Sequence, residues 1–235
     1  MSFMRLDKML SSMGIGTRNE IRKACRDNRI MVNGTIIRDP SVHIDPDKDI
    51  VSLDEEPVLF TRYVYFMLNK PAGTISATSD SRTTVLDLID CSVKGLYPVG
   101  RLDLDTEGLL LITNDGPLGH QLLSPKNHVE KEYLVQLKTE IEDGDLEPIR
   151  KGIRLNKDET CLPAEVRITG ERECRIILQE GKFHEIKRMF SAIGNEVVYL
   201  KRLRMKDLVL DESLAPGEYR ELSEAEIAGL KESAH

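Results

Sequence analysis

Residues 100–114 read GRLDLDTEGLLLITN, a lone Arg-Leu-Asp triplet set against a continuous apolar run. The run predicts a buried strand, and Asp103 is held just before it. Gly100 and Gly108 let the backbone bend and come close to a ligand. A carboxylate fixed in this way is a candidate for chemistry, although an isolated Asp103 is more often the residue of a structural turn.

The bounding facts are consistent with a soluble protein. At 235 residues and 40% hydrophobic, the chain can bury one large core or two smaller ones. No apolar stretch approaches the roughly 20 residues of a membrane helix. The opening MSFMRLDKML lacks the pattern of a secretory signal, and Cys25, Cys91, Cys161 and Cys174 show no close pairing. The expectation is a cytoplasmic monomer with free thiols, no membrane partner and no metal, since zinc sites draw their ligands in close pairs.

A net charge of -7 argues at first against a nucleic-acid partner. Its distribution argues the other way. Residues 1–40 carry eight basic side chains against four acidic ones, and residues 181–206 carry seven against two, while residues 41–62 carry six acidic against two basic. Either basic island alone could be a solvated helix face. Together they favour a polyanion.

The first island has the pattern of a small module. Leu6, Met9, Leu10 and Met13 fall at helical spacing, and TRNE at residues 17–20 has the form of a capping box opening a second helix. RIMVN at 29–33 then alternates, Asn33-Gly34 signals a hairpin, residues 35–37 return, and a third short strand is expected near 49–53. This order over residues 4–55 resembles the small alpha-L RNA-binding domain of a small-subunit ribosomal protein and of many RNA-modifying enzymes. The resemblance implies that Arg5, Lys8, Arg18, Arg22 and Arg29 contact phosphates and position the protein on folded RNA without reading bases.

The acidic segment DPDKDIVSLDEEP at 45–57 is read as closing that module. The expected domains are 1–58, a linker at 59–62, and a larger unit over 63–235. In the larger unit strands are expected near 63–69, 107–113, 131–138, 163–169, 173–179 and 196–203, with helices near 83–89, 116–123, 143–151 and 184–194. Their irregular alternation excludes a doubly wound parallel sheet and favours an α+β fold with a mixed, mainly antiparallel sheet.

LNKPAG at 68–73, GRLDLDTEGLLLITNDG at 100–116, Lys131-Glu132-Tyr133 and EGKFHEIKRMF at 180–190 occur in the order seen in bacterial ribosomal RNA pseudouridine synthases. With the ending APGEYRELSEAEI, the chain resembles the branch with an alpha-L domain in front that modifies one uridine of 16S RNA. Large-subunit relatives share the core motifs, so a 23S target stays open.

Pseudouridine formation breaks the bond from ribose to uracil nitrogen 1, turns the base, and rejoins the ribose to carbon 5. No net redox change occurs, so no cofactor is needed. The reaction needs an ionised carboxylate beside the ribose, as nucleophile or base, and a nearby cation to keep it charged. The resemblance makes Asp103 that carboxylate, Lys187 its basic partner with Arg188 as second choice, and Tyr133 the ring that stacks on the extruded uracil. Arg101 would hold the place the base vacates. The implied partner is ribosomal RNA, 16S in an assembling small-subunit particle.

Other readings have identifiable signals. Asp103 to Gly108 looks like a calcium loop, but Asn114 stands where the twelfth-position glutamate belongs. A metal-dependent nuclease would use Asp103, Asp105 and Asp115. A non-catalytic assembly factor would be expected to lack the acid or its partner, and Asp103, Tyr133 and Lys187 are all present. His184 is read as structural or as a loose RNA contact.

Overall fold

A computed structural model describes residues 3–232. Its first unit takes in the described residues up to Val64 together with Asp90–Leu96. It begins with β1 (Met4–Arg5), α1 (Leu6–Ser12) and α2 (Arg18–Arg26). The capping box forms: the Thr17 N–H donates to Glu20 Oε2 at 2.6 Å and the Glu20 N–H donates to Thr17 Oγ1 at 3.3 Å. Helix α2 buries Ile21, Ala24 and Cys25 and leaves Arg18, Arg22, Lys23 and Arg26 exposed.

Strands β2 (Ile30–Val32) and β3 (Thr35–Ile36) turn through Asn33 at φ 51° and Gly34 at φ 76°, the positive pair that a two-residue hairpin demands. β4 (His43–Ile44) pairs with β1, while β5 (Val51–Leu53) joins β2 and is followed by β6 (Glu56–Pro57). Leu6, Met9, Leu10, Ile21, Ile30, Ile44 and Val51 form the core. The two-residue strands β1, β4 and β6 are too short to carry a periodic signal. The return of Asp90–Leu96 to this unit, where the Lys94 N–H donates to Ser12 O at 3.0 Å, departs from the unbroken 63–235 boundary.

The second unit takes in Tyr65–Ile89 and the described residues from Tyr97 onward. It opens with β7 (Tyr65–Lys70), β8 (Tyr97–Pro98), β9 (Glu107–Thr113) and α3 (Gly116–Leu123). β10 (Lys131–Leu137), α4 (Glu147–Arg150), β11 (Glu165–Gly170), β12 (Glu173–Leu178) and α5 (Glu185–Ala192) follow. β13 (Val197–Met205), β14 (Leu208–Val209), β15 (Tyr219–Glu221) and α6 (Glu224–Lys231) complete it. The sheet runs β11-β12-β10-β13-β9-β7-β15, with β14 on β13 and β8 on β9. Every pairing is antiparallel except β9 with β13, which is the expected α+β architecture.

That parallel contact explains Gly108. At φ +97°, a Cβ there would lie 2.3 Å from the Arg202 carbonyl oxygen, so the close approach is to β13 and not to a ligand as the sequence suggested. Two expected helices are also modified. Residues 83–89 hold only a 3-10 turn, Val85–Leu88, because Ile89 returns to extended backbone. Residues 143–151 split into a 3-10 turn, Asp143–Leu146, and α4, since Pro148 has no N–H to continue an earlier helix.

Candidate active site

Asp103 lies in the loop between β8 and β9, and that loop is fixed by residues of the β7 end. Ser76 Oγ accepts from the Leu102 N–H at 3.1 Å and donates to Leu102 O at 3.0 Å. Lys70, with no exposed surface, donates from Nζ to the carbonyls of Pro71 at 3.1 Å, Asp103 at 3.1 Å, Leu104 at 3.4 Å and Thr106 at 2.8 Å. Burial pushes the Lys70 ammonium down to about 8. Main-chain atoms on both sides of Asp103 are thereby held, which leaves its side chain a defined direction.

That side chain faces α5. Lys187 Nζ sits 3.2 Å from Asp103 Oδ2 and 2.6 Å from Asp105 Oδ1. Burial pulls the Lys187 ammonium downward, but the Asp105 hydrogen bond and the Asp103 charge outweigh it and hold the group above its ordinary value. The hydrogen bond from Lys187 lowers the Asp105 carboxyl in turn. One ammonium bridges two carboxylates. His184 Nε2 approaches Asp103 Oδ1 at 3.6 Å. Its backbone is left-handed at φ 48°, and its ring stacks on exposed Phe183 with centroids 3.8 Å apart.

Asp103, Lys187, Tyr133 and Arg101 line one pocket, with Leu178 and Leu200 as apolar wall. Tyr133 stands on β10 opposite Arg202 of β13, and Arg101 is exposed. Arg188 does not join them: it forms an ion pair with Glu159 and donates to Phe183 O at 3.2 Å. Lys187, and not Arg188, is therefore the cation beside Asp103.

The remaining candidates sit in the first unit. Arg5 is engaged by Asp7, with Nε to Oδ1 at 3.0 Å, and Arg29 by Asp54, with Nε to Oδ1 at 2.7 Å. Lys8, Arg18 and Arg22 are exposed. The nuclease set does not converge, because buried Asp115 caps α3 through Leu118 N–H at 3.2 Å and accepts from the Tyr65 hydroxyl at 2.7 Å. All four cysteines are free thiols. Among the described residues no helix is long and apolar enough to cross a membrane.

The chain matches the family described as RNA pseudouridylate synthase over residues 64–192 and the S4 domain over residues 4–50. It is 45% identical to "Uncharacterized RNA pseudouridine synthase YtzG" of Bacillus subtilis, covering 97% of this chain and 99% of that protein. It is 41% identical to "Ribosomal small subunit pseudouridine synthase A" of Escherichia coli K12, covering 97% and 100%. A solved structure titled "Crystal structure of pseudouridylate synthase" superposes with a TM-score of 0.69 at 39% identity, covering 97% of this chain and 99% of that one. The arrangement of Asp103, Tyr133 and Lys187 thus occurs in a chain that belongs to the RNA pseudouridylate synthase family, an RNA-modifying enzyme with an S4 domain at its front.

Proposed function

We propose that this chain converts one uridine of 16S ribosomal RNA to pseudouridine within an assembling small-subunit particle, acting as a monomer in the cytoplasm. The observation that carries the chemistry is the Lys187 ammonium 3.2 Å from Asp103 in a pocket shared with Tyr133. The small-subunit target is supported by the near-full-length likeness to a protein named for that subunit.

The target nucleotide leaves its stack at a cost of a few kcal/mol, less from a bulge or junction. Arg101 occupies the vacated place and Tyr133 stacks on the flipped uracil. Asp103, with the Lys187 ammonium 3.2 Å away, starts cleavage of the bond between nitrogen 1 and the ribose as nucleophile or base. The base turns, carbon 5 bonds to the ribose, and the carbon 5 proton is lost while nitrogen 1 gains one. Product and substrate are isomers, so the balance needs no oxidant or reductant. The exposed basic face of α2 meets phosphates and orients the RNA.

Release of tritium from RNA labelled at uracil carbon 5 tests this reading. Wild type is expected to release it from small-subunit RNA, and Asp103→Asn is expected to release none while binding RNA with nearly wild-type affinity. Release by Asp103→Asn at a comparable rate removes Asp103 from the chemistry.

A further inference from the structure

A second cavity, of about 430 Å³, shares Arg101, Tyr133, Glu180, Gly181 and Lys182 with the pocket that holds Asp103. It adds two cations that the reaction above leaves unused, Lys131 and Arg202. They are 9% and 2% exposed, a degree of burial at which a charge ordinarily has a partner.

The sheet register brings them together. Glu132 pairs with Arg204 but Tyr133 pairs with Arg202, so the bulge on β13 leaves Leu203 without a partner strand residue. Arg202 therefore stands directly across from Tyr133, and Lys131, two residues earlier on β10, shares the Tyr133 face. Both cations line the same cavity wall as the ring expected to hold the uracil.

Their own hydrogen bonds are incomplete. Lys131 Nζ donates to Val129 O at 2.8 Å and Arg202 Nε donates to Leu109 O at 2.6 Å. Arg202 Nη2 is buried with no partner, and among the described residues neither side chain forms a salt bridge. Burial first, and then the Arg202 charge, push the Lys131 ammonium down to about 8. Lys182, by contrast, is met by Glu180 at 2.7 Å. Lys131 and Arg202 are two buried like charges, the second with a guanidinium nitrogen that has no hydrogen-bond partner, and an anion in the cavity they line would offset their charge.

We propose that Lys131 and Arg202 form an anion subsite that holds the phosphodiester group next to the flipped nucleotide. The inference rests on the RNA-modifying reading above and deepens it. A phosphate here is bonded to the nucleotide whose base lies on Tyr133, so charge-assisted hydrogen bonds would fix the ribose against Asp103 without reading sequence. Lys131 and Arg202 act as positioning residues.

Calorimetric titration of inorganic phosphate into the full-length protein, at constant ionic strength and against chloride, tests the subsite. Wild type is expected to bind phosphate, Lys131→Met to bind it about tenfold more weakly or worse, and Arg202→Lys to fall between. With small-subunit RNA, Lys131→Met is expected to raise KM more than it lowers kcat. Arg202→Lys keeps the buried charge, so it supplies the comparison if the methionine variant does not fold. Wild type that converts uridine but binds no phosphate overturns the subsite and leaves the activity standing. Lys131-dependent phosphate binding with RNA kinetics unchanged overturns its assignment to the RNA backbone. Wild type that converts no uridine in any ribosomal RNA refutes the proposed function, and the phosphate titration still reads the subsite by itself.

Discussion

In the proposed mechanism Lys187 is the residue on which the chemistry of Asp103 turns. Its ammonium lies within 3.2 Å of Asp103 and 2.6 Å of Asp105, and its removal would leave two carboxylates facing each other without a cation. Lys187→Met is expected to lower single-turnover rate by about a hundredfold or more, with Lys187→Arg recovering part of it because charge is kept and geometry is not. A methionine variant turning over within a few fold of wild type would remove Lys187 from the site. Asp103, Tyr133 and Lys187 line one pocket, and their convergence is legible in the sequence because each falls inside a motif whose residue types suit the proposed reaction. Lys70 also falls inside a motif, LNKPAG, but its role is hidden there, because a lysine at the end of a strand reads as a solvated cap and the carbonyl it holds lies 33 residues away at Asp103. The place of His184 is hidden for a similar reason, since only the folded chain brings its ring beside Asp103.

The β9 and β13 pairing is the element that places the Asp103 loop next to the strand carrying Arg202. Gly108→Ala forces a side chain into left-handed backbone and against the Arg202 carbonyl 2.3 Å away. It is expected to lower unfolding free energy by about 2 kcal/mol or more, read as a shifted urea midpoint. An unchanged midpoint would contradict the parallel contact. On β12, burial pushes the Cys174 thiol from its ordinary value of 9.0 up to about 12. The folded state keeps this proton where the unfolded state loses it. Its contribution is therefore complete below pH 9 and declines as pH rises toward 12. Between about pH 8 and pH 10.5 wild type is expected to lose more stability than Cys174→Ala, and equal losses would refute the assignment. Long strands such as β7, β9 and β10 are legible from their apolar runs. The bulge at Leu203 is not, because a register shift depends on the partner strand and leaves no local pattern.

The whole molecule carries a net charge of -7 yet presents a basic helix to solvent. Arg18, Arg22 and Arg26 recur every four residues along α2 and are exposed, whereas Arg5 and Arg29 already have carboxylate partners. Replacing all three exposed arginines with alanine is expected to weaken RNA binding and to flatten its salt dependence by about 0.7 to 0.9 in slope for each phosphate no longer neutralised. An unchanged slope, measured by filter binding across salt concentrations, would make α2 a solvated face. Charge segregation makes this module visible in the sequence, while the return of Asp90–Leu96 to the first unit has no compositional mark. Acid, reaction and target meet in a single product, so primer-extension mapping of pseudouridine reads all three at once. Unmodified 16S RNA, 23S RNA and small-subunit particles would each be incubated with wild type or Asp103→Asn. One new stop is expected, in 16S RNA and with wild type alone. A stop confined to 23S RNA, a stop made by Asp103→Asn, or no stop in any RNA would contradict the assignment.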